Sequence, residues 1–485
     1  MAYDVVYREK QGPDGQETFY ARLPDKYSVM AVSSSNTGER KHTLFYGFKN
    51  FFREVFLPQG YPDSVSKDYM NYQIWDSAQA FCSTLSGTLA TQSIMKGVGV
   101  GSSTATPLSA AVTWILKDGT GMVGRILFAW WKGTSLDCDC KKWRLFADVL
   151  NDLALSVEMF LLPLAPSYSL QILCLSSTLK AIVGVAGGAT RAVNTQHQAL
   201  CNNIADVSAK DGSQETCLNL IGSVFGILVL SLVGESEVLM RLLFIFFLIG
   251  HVYSNYMAVR ALQFSTLNKE RYLIILKTYL SRGLIRRTEH VNYEESVVVG
   301  SGITEKQLCG YEIYMGCSLK YLVDNHLISA PELQLYSHLS EKRKYLVIIS
   351  IKSKKIFVPL HSEHSSLDAI CAYFHAILLA IATNILFNGH LGILNQKRNE
   401  QSLLTNLEYE IKSNRGTIED YSGDYSALRR KQFPLEAITC IGSLLDMEFQ
   451  QFILQLHGNG WRTDFHHLPV GMWRSTWNVR EYDNN

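Results

Sequence analysis

Charge is what this 485-residue chain has least of: Asp, Glu, Lys and Arg make up only 18% of it, against roughly a quarter in ordinary soluble proteins. The charges balance to a net +1. No field gathers nucleic acid or acidic substrates, and no nucleic-acid partner is expected. Ten cysteines are present without a C-x-x-C pair. Cys138 and Cys140 form a lone C-x-C with no second pair at finger spacing, so reduced, incidental thiols and no metal site are expected. The G-x-S-x-G elbow is missing, and His361, Glu363 and His364 stand too close for the H-E-x-x-H arrangement. His466 and His467 are an isolated pair. MAYDVVYREKQGPDG has neither a basic start followed by an apolar run nor an Arg/Ser-rich character, so no signal or transit peptide is expected. The N-x-[ST] acceptor also occurs nowhere, which fits soluble parts that do not meet the secretory lumen.

What is present is apolar and unevenly spread. Hydrophobic residues reach 47%, yet mean hydropathy is only +0.03, so the excess is concentrated. The pattern predicts a mainly α chain: a membrane-associated helical core domain followed by a smaller α/β (α+β) C-terminal domain. The boundaries read as an N-terminal β element with an amphipathic helix (1–60), the helical domain (61–288) and the C-terminal domain (289–485).

DVVYRE and ETFYARL flank the turn-former GPDGQ as a hairpin would, and SSSNTGERKH reads as a linker. Leu44, Phe45, Phe48, Phe51, Phe52, Val55 and Phe56 recur at helical spacing and line one apolar face. From Tyr61 a helix-start signal leads into STLSGTLATQSIMKGVGVGSSTATP, a run of small residues that lets helices approach closely. Leu108–Leu116 and Met122–Trp131 are apolar stretches separated by KDGTG, read as a turn. Pro163 and Pro166 break the uncharged run Met159–Leu179. Thr216–Gly234 and Leu242–Val259 are each long enough to cross a bilayer and read as a helical hairpin. The basic run Arg260, Lys269, Arg271, Lys277, Arg282, Arg286 and Arg287 then marks the cytosolic or matrix side. YLVIISI and KIFVPL form a hairpin across KSK. Leu367–Phe387 has the length of a span, but its place after that hairpin favours a buried core helix. Phe433–Leu456 is amphipathic and ends at Gly458–Gly460.

Three constellations could carry chemistry. Gly97, Gly99 and Gly101, ahead of Pro107, suggest an anion-cradling loop or a close helix packing; the spacing is not G-x-G-x-x-G. Arg191, Asn194, Gln198, Asn202, Asp206 and Lys210 step by three or four and predict a continuous polar stripe on one helix face, with His197, Asn203 and Asp211 beside it. Polar groups beside apolar spans are costly unless paired or wet. The stripe is therefore either a hydrated path or ligand site, or a network that fixes helix register. Asp148 and Asp152 form an i,i+4 acidic pair that can bind a cation, share a proton, or pair with Asp118, Arg125 or Arg144. His251 is a separate ionisable group midway along the last span.

GVGVGSSTATPLSAAVTWILKDGTGMVGRILFAWWKG, KKWRLFADVLND and GGATRAVNTQHQALCNNIADVSAKDGSQET closely resemble the RUS family, named for the plant "root UVB sensitive" proteins. The resemblance runs from about Tyr61 to Leu284, and the rest of the chain, through the WRSTW tail, is similar in layout to the family's C-terminal domain. Without a transit peptide the chain looks like an animal-type member. The resemblance implies a multi-pass membrane protein in an unassigned organelle. It also implies links to seedling growth, UV-B response, auxin transport and vitamin B6 status, and members that act in pairs. It carries over no catalytic residues.

The leading expectation is a non-enzymatic protein of small-molecule homeostasis, with vitamin B6 as the suggested object, acting as a carrier or its regulator. Membrane lipid, a second family member or copy, and a small anionic ligand are the expected partners; no cofactor is expected. A membrane-anchored scaffold recruiting partners through its C-terminal domain is the alternative. An enzyme acting on a pyridoxal-type substrate through Lys96, Lys117 or Lys210 is a third reading that no motif supports.

Overall fold

A computed structural model of the chain describes residues 5–10, 17–22, 29–33, 51–97, 107–339, 342–387, 391–395, 402–413 and 435–477. The chain divides into two compact units, Met1–Leu136 with Trp143–Leu262, and Asp137–Lys142 with Gln263–Asn485.

The first unit opens with an antiparallel meander, β1 (Val5–Lys10), β2 (Glu17–Arg22) and β3 (Val29–Ser33). The expected hairpin is present. The third strand was not foreseen, because five residues, VMAVS, are too few for alternation to stand out. Of the Phe-rich amphipathic segment, residues 51–56 are helical; the remainder, and the linker from Ser34, lie outside the described residues.

Long helices follow: α1 (Tyr69–Gly97), α2 (Pro107–Leu136), α3 (Cys140–Ser156), α4 (Ser169–Gln198), α5 (Ile204–Val233) and α6 (Glu237–Ala261). The turn expected at KDGTG is absent, because α2 runs through it unbroken. Gly121 and Gly124 serve packing instead. A Cβ at Gly121 would sit 2.8 Å from the Ser177 hydroxyl of α4, and one at Gly124 2.7 Å from the Thr178 methyl. Gly222 and Gly226 of α5 meet Thr84 and Thr88 of α1 in the same way. Small residues at three- and four-residue spacing are how helices close up where water gives no hydrophobic drive. α5 and α6 are joined by the expected short turn, Gly234–Ser236, and both pack chiefly along α1, as α2 does along α4.

The break near Pro163 has a visible remedy. Proline lacks the N–H that would bond the carbonyl of Met159. The backbone widens to a π turn at Val157–Leu161, and the Ser93 hydroxyl of α1 donates to Met159 O at 3.3 Å. Other hydroxyls are satisfied within their own helices: Ser86, Thr88, Thr91, Thr178, Ser223 and Ser231 each donate to the carbonyl four residues back. That habit suits helices whose surroundings offer no water.

Among the described residues four helical stretches are long and apolar enough to cross a membrane: Pro166–Gln198, Ile204–Val233, Glu237–Ala261 and Ser366–Leu386. The first three are only 17%, 17% and 33% buried, whereas the fourth is 89% buried.

The second unit surrounds that fourth helix. After α7 (Lys269–Arg282), α8 (Thr288–Glu294) and α9 (Glu305–Cys309) comes a small mixed sheet. In it β4 (Glu312–Met315) runs parallel to β6 (Lys355–Val358), which pairs antiparallel with β5 (Ile348–Ser350) in the expected hairpin. Then follow α10 (Ser366–Leu386), α11 (Leu403–Ser413) and α12 (Leu435–Gly458). Phe374 of α10 stacks on Phe452 of α12 at 4.8 Å, and Tyr279 of α7 meets the same ring edge-on. The helix with the length of a span is a core helix.

Candidate functional site

The first unit encloses a seam of polar residues. Asp68, just ahead of α1, and Tyr72, Asp76 and Gln79 on it recur at three or four residues, so they share one face; Gln73 lies beside them. α3 presents Arg144, Asp148 and Asp152 in the same rhythm, and α6 presents His251 and Asn255 four apart. These faces meet. Arg144 Nη2 donates to Asp76 Oδ1 at 2.9 Å, and its Nε lies 3.5 Å from Asp148 Oδ2. Asn255 donates through its amide to Asp148. His251, wholly buried, has Nδ1 2.8 Å from the Asp152 carboxylate and Nε2 2.9 Å from Gln79 Nε2.

With the Gln79 amide nitrogen donating, His251 Nε2 accepts, and Nδ1–H donates to Asp152: the neutral imidazole. Flipping that amide presents its carbonyl and fits the imidazolium instead. The pocket thus accommodates both protonation states without moving the backbone.

The seam continues towards α4 and α5. Tyr72 donates to Asp76 at 3.2 Å and receives the Asn194 amide at 3.3 Å. Arg191 is held by Asp211 and Glu215, each at 2.6 Å, and Gln73 donates to the other Asp211 oxygen at 3.2 Å. His197 Nε2 lies 2.9 Å from Asp68. Among the described residues carboxylates outnumber cations around Arg191 and around Arg144. Around Arg144 and His251 stand Asp76, Asp148 and Asp152, one more acid than base even with the imidazole charged. An uncompensated buried carboxylate is costly, so this seam suits a proton or a cationic group. Asn255 Oδ1 and Gln198 Nε2 are buried with no hydrogen-bond partner among the described residues. Beside the seam, a cavity of about 260 Å³ is lined by Tyr69, Gln73 and Gln214 together with apolar side chains such as Phe56 and Leu57.

The predicted stripe is not one helix face. α4 ends at Gln198 and α5 starts at Ile204. Between them Val65 bridges Ala199, Ser66 N–H donates to Gln198 O, and Leu200 N–H donates to Ser64 O. This strand-like pairing wins over helix continuation, and Asn202 turns the corner at φ 55°. Arg191, Asn194 and His197 therefore reach the seam from α4, and Asp211 from α5. Asn203 donates to Ser64 O. Asp206 and Lys210 do not pair with each other: Asp206 accepts from Gln59 N–H at 2.7 Å, and Lys210 donates to Glu54 O. Asp148 and Asp152 do not act as a pair either; each has its own partner, and of the three expected candidates Arg144 is the one in contact. Gly97 is the last residue of α1, while Gly99 and Gly101 lie outside the described residues, as does the Lys96 side chain.

Sequence reasoning missed Asp68, Tyr72, Gln73, Asp76, Gln79 and Asn255. The signal was available, since polar residues recur at helical spacing within a segment of small residues, as they do after Arg191.

Residues 45–283 match a family described as a vitamin B6 photo-protection and homoeostasis domain, and residues 285–477 match the root UVB sensitive protein C-terminal family. RUS family member 1 of Dictyostelium discoideum is 47% identical over 259 residues, 52% of this chain and 48% of that one. Protein root UVB sensitive 3 of Arabidopsis thaliana is 34% identical over 362 residues, 73% of this chain and 81% of that one. The chain thus spans about half the length of the Dictyostelium relative. No solved structure matches it.

Proposed function

The chain belongs to the root UVB sensitive family, and on that premise we propose that it is a membrane carrier of vitamin B6 homoeostasis, moving an unphosphorylated B6-type compound in exchange for or together with protons. The observation that carries this reading is the buried His251–Asp152 pair, set in a helix long and apolar enough to cross a membrane. Ionisable groups at such depth are retained where something charged passes or binds. The acid excess around Arg144 supports a substrate with a basic nitrogen and disfavours a phosphate ester, which would meet Asp76, Asp148 and Asp152. Arg191 and Lys210, the cations first considered for an anion, are engaged by Asp211, Glu215 and the Glu54 carbonyl. The cavity beside Gln73 offers room for a small aromatic ring. Nothing in the reading requires a bond to be made or broken in the substrate.

The test is transport by the purified full chain in liposomes. Labelled pyridoxine should enter above the level of empty liposomes, and a pH gradient should accelerate it. His251→Gln should remove the acceleration while leaving counterflow between equal pH values measurable. Absence of uptake for every unphosphorylated B6 compound, with and without the gradient, would sink the proposal.

A further inference from the structure

The basic run that follows the last apolar span is not one population. In the second unit Lys269 pairs with Glu305 at 2.6 Å, Arg271 with Glu295 at 3.1 Å, and Arg286 with Glu294. Lys269 and Arg271 are held by buried carboxylates, whereas the Arg286–Glu294 pair is partly exposed. Lys277 and Arg282 have no carboxylate within ion-pair distance among the described residues. Both line a cavity of about 300 Å³ with Thr278, Ser281, Arg286, Glu294, Ile393 and Leu394.

We propose that this cavity binds a phosphate monoester group, on a soluble molecule or on a lipid headgroup. Among the described lining residues three cations and one carboxylate leave two positive charges, which matches the dianion. Its frame is fixed. α7 ends on Gly283 in the left-handed conformation, where glycine is favoured. Beyond it, the Arg286 carbonyl accepts from the Trp461 indole N–H at 2.9 Å. Ile393 and Leu394 form an apolar wall, which strengthens charge–charge attraction within.

Complementing the negative end of the helix dipole accounts for Arg282, in the last turn. It does not account for Lys277, five residues earlier and half-buried, where that effect has faded. The Ser281 and Thr278 hydroxyls already donate to carbonyls of their own helix, so recognition falls to Lys277, Arg282 and Arg286.

The full chain in phosphatidylcholine nanodiscs would be titrated with inorganic phosphate and followed by phosphorus NMR line broadening. A parallel set containing phosphatidylinositol 4-phosphate would be examined for retained lipid by native mass spectrometry. Broadening in the first set assigns the site to soluble phosphates, and retained lipid alone assigns it to headgroups. In either arm Lys277→Gln with Arg282→Gln should weaken binding roughly tenfold or more with an unchanged melting temperature. Glu294→Gln, which removes the competing carboxylate, should tighten it. Binding in neither arm, or binding that the double variant leaves intact, would overturn the assignment.

Discussion

α6 and α10 are nearly interchangeable by composition and opposite by environment. Their most apolar windows have mean hydropathies of 1.7 and 1.9, yet the first is 33% buried and the second 89%. On α6 the polar residues His251, Ser254 and Asn255 are buried while Leu242, Phe246 and Ile249 are exposed. On α10 every residue from Ala372 to Leu386 is buried, by Tyr272 and Tyr279 of α7 and Phe452 of α12 among others. Hydropathy counts apolar groups but not the direction they face. The first unit, with a polar seam inside and exposed apolar helix faces outside, has the arrangement that suits an apolar solvent. The second has the ordinary arrangement for water.

The contrast breaks most sharply at Arg144, because the first unit has no spare cation there. Arg144→Met leaves Asp76 and Asp148 facing each other across a buried gap, and should cost about 3–5 kcal/mol. Folded protein should fall steeply in detergent gel filtration, with partial recovery in Arg144→Met/Asp148→Asn. The equivalent change in the second unit, Arg271→Met, leaves Lys141 3.0 Å from Glu295 and should be milder. Equal losses for the two arginines would mean that the seam is no more closed to water than an ordinary core.

A matched pair of aromatic truncations comes next. Phe374→Ala on α10 removes a fully buried ring and its stack with Phe452, at a cost of about 3 kcal/mol. Phe246→Ala on α6, 67% exposed, should stay within about 0.5 kcal/mol. Thermal unfolding of both variants in one detergent checks the difference. A large loss at Phe246 would place a protein surface, not lipid, on that face of α6.

These expectations show which layer of the fold was legible. Helix lengths, the proline break, the β5–β6 hairpin and the burial of α10 follow from apolar spacing and from Gly and Pro, which act locally. The break after Gln198 was not legible, because Ser64–Ser66, some 130 residues earlier, supplies the competing partner. The same limit applies to the seam. Arg144, Asp148, Asp152 and His251 stood out singly, but their assembly depends on α1, whose small residues drew attention away from Tyr72, Asp76 and Gln79. Lys117–Gly121 misled for a related reason: the segment was read for turn chemistry, whereas Gly121 is required by contact with α4.

Acid should separate the ionisable groups of the second unit. Burial pushes His466 and His467 down from 6.5 to about 4. The unfolded chain takes up those protons first, so stability present above pH 6.5 falls as pH drops towards 4. Burial alone would raise Glu295, but Arg271 and Lys141 outweigh it and hold the carboxyl at about 2. Its contribution is full above about pH 4.5 and is lost as pH falls through 2. Unfolding followed through Trp461 fluorescence should show both limbs. Glu295→Gln should flatten the lower one and leave the upper, while the double change of His466 and His467 to Phe does the reverse.

The gentlest test leaves the fold alone. α2 is less continuously apolar than α4, α5 and α6, because Lys117, Asp118 and Arg125 interrupt it. Yet it exposes Leu108, Ile115, Ile126 and Trp130, the last at 84%. Lys117 lies over the Trp114 ring at 3.9 Å and Lys132 over Trp131 at 4.3 Å, the pairing of aromatic and cation that sits well at a membrane interface. Single-tryptophan variants in brominated-lipid nanodiscs should therefore show quenching of Trp130 and none of Trp461, which is 2% exposed in the second unit. Trp473, 62% exposed there, is the control that separates lipid contact from mere exposure: it should respond to aqueous iodide and not to bromine. If Trp130 answers to iodide instead, the apolar face of α2 is turned to water, and the inverted character of the first unit is confined to the helices around α1.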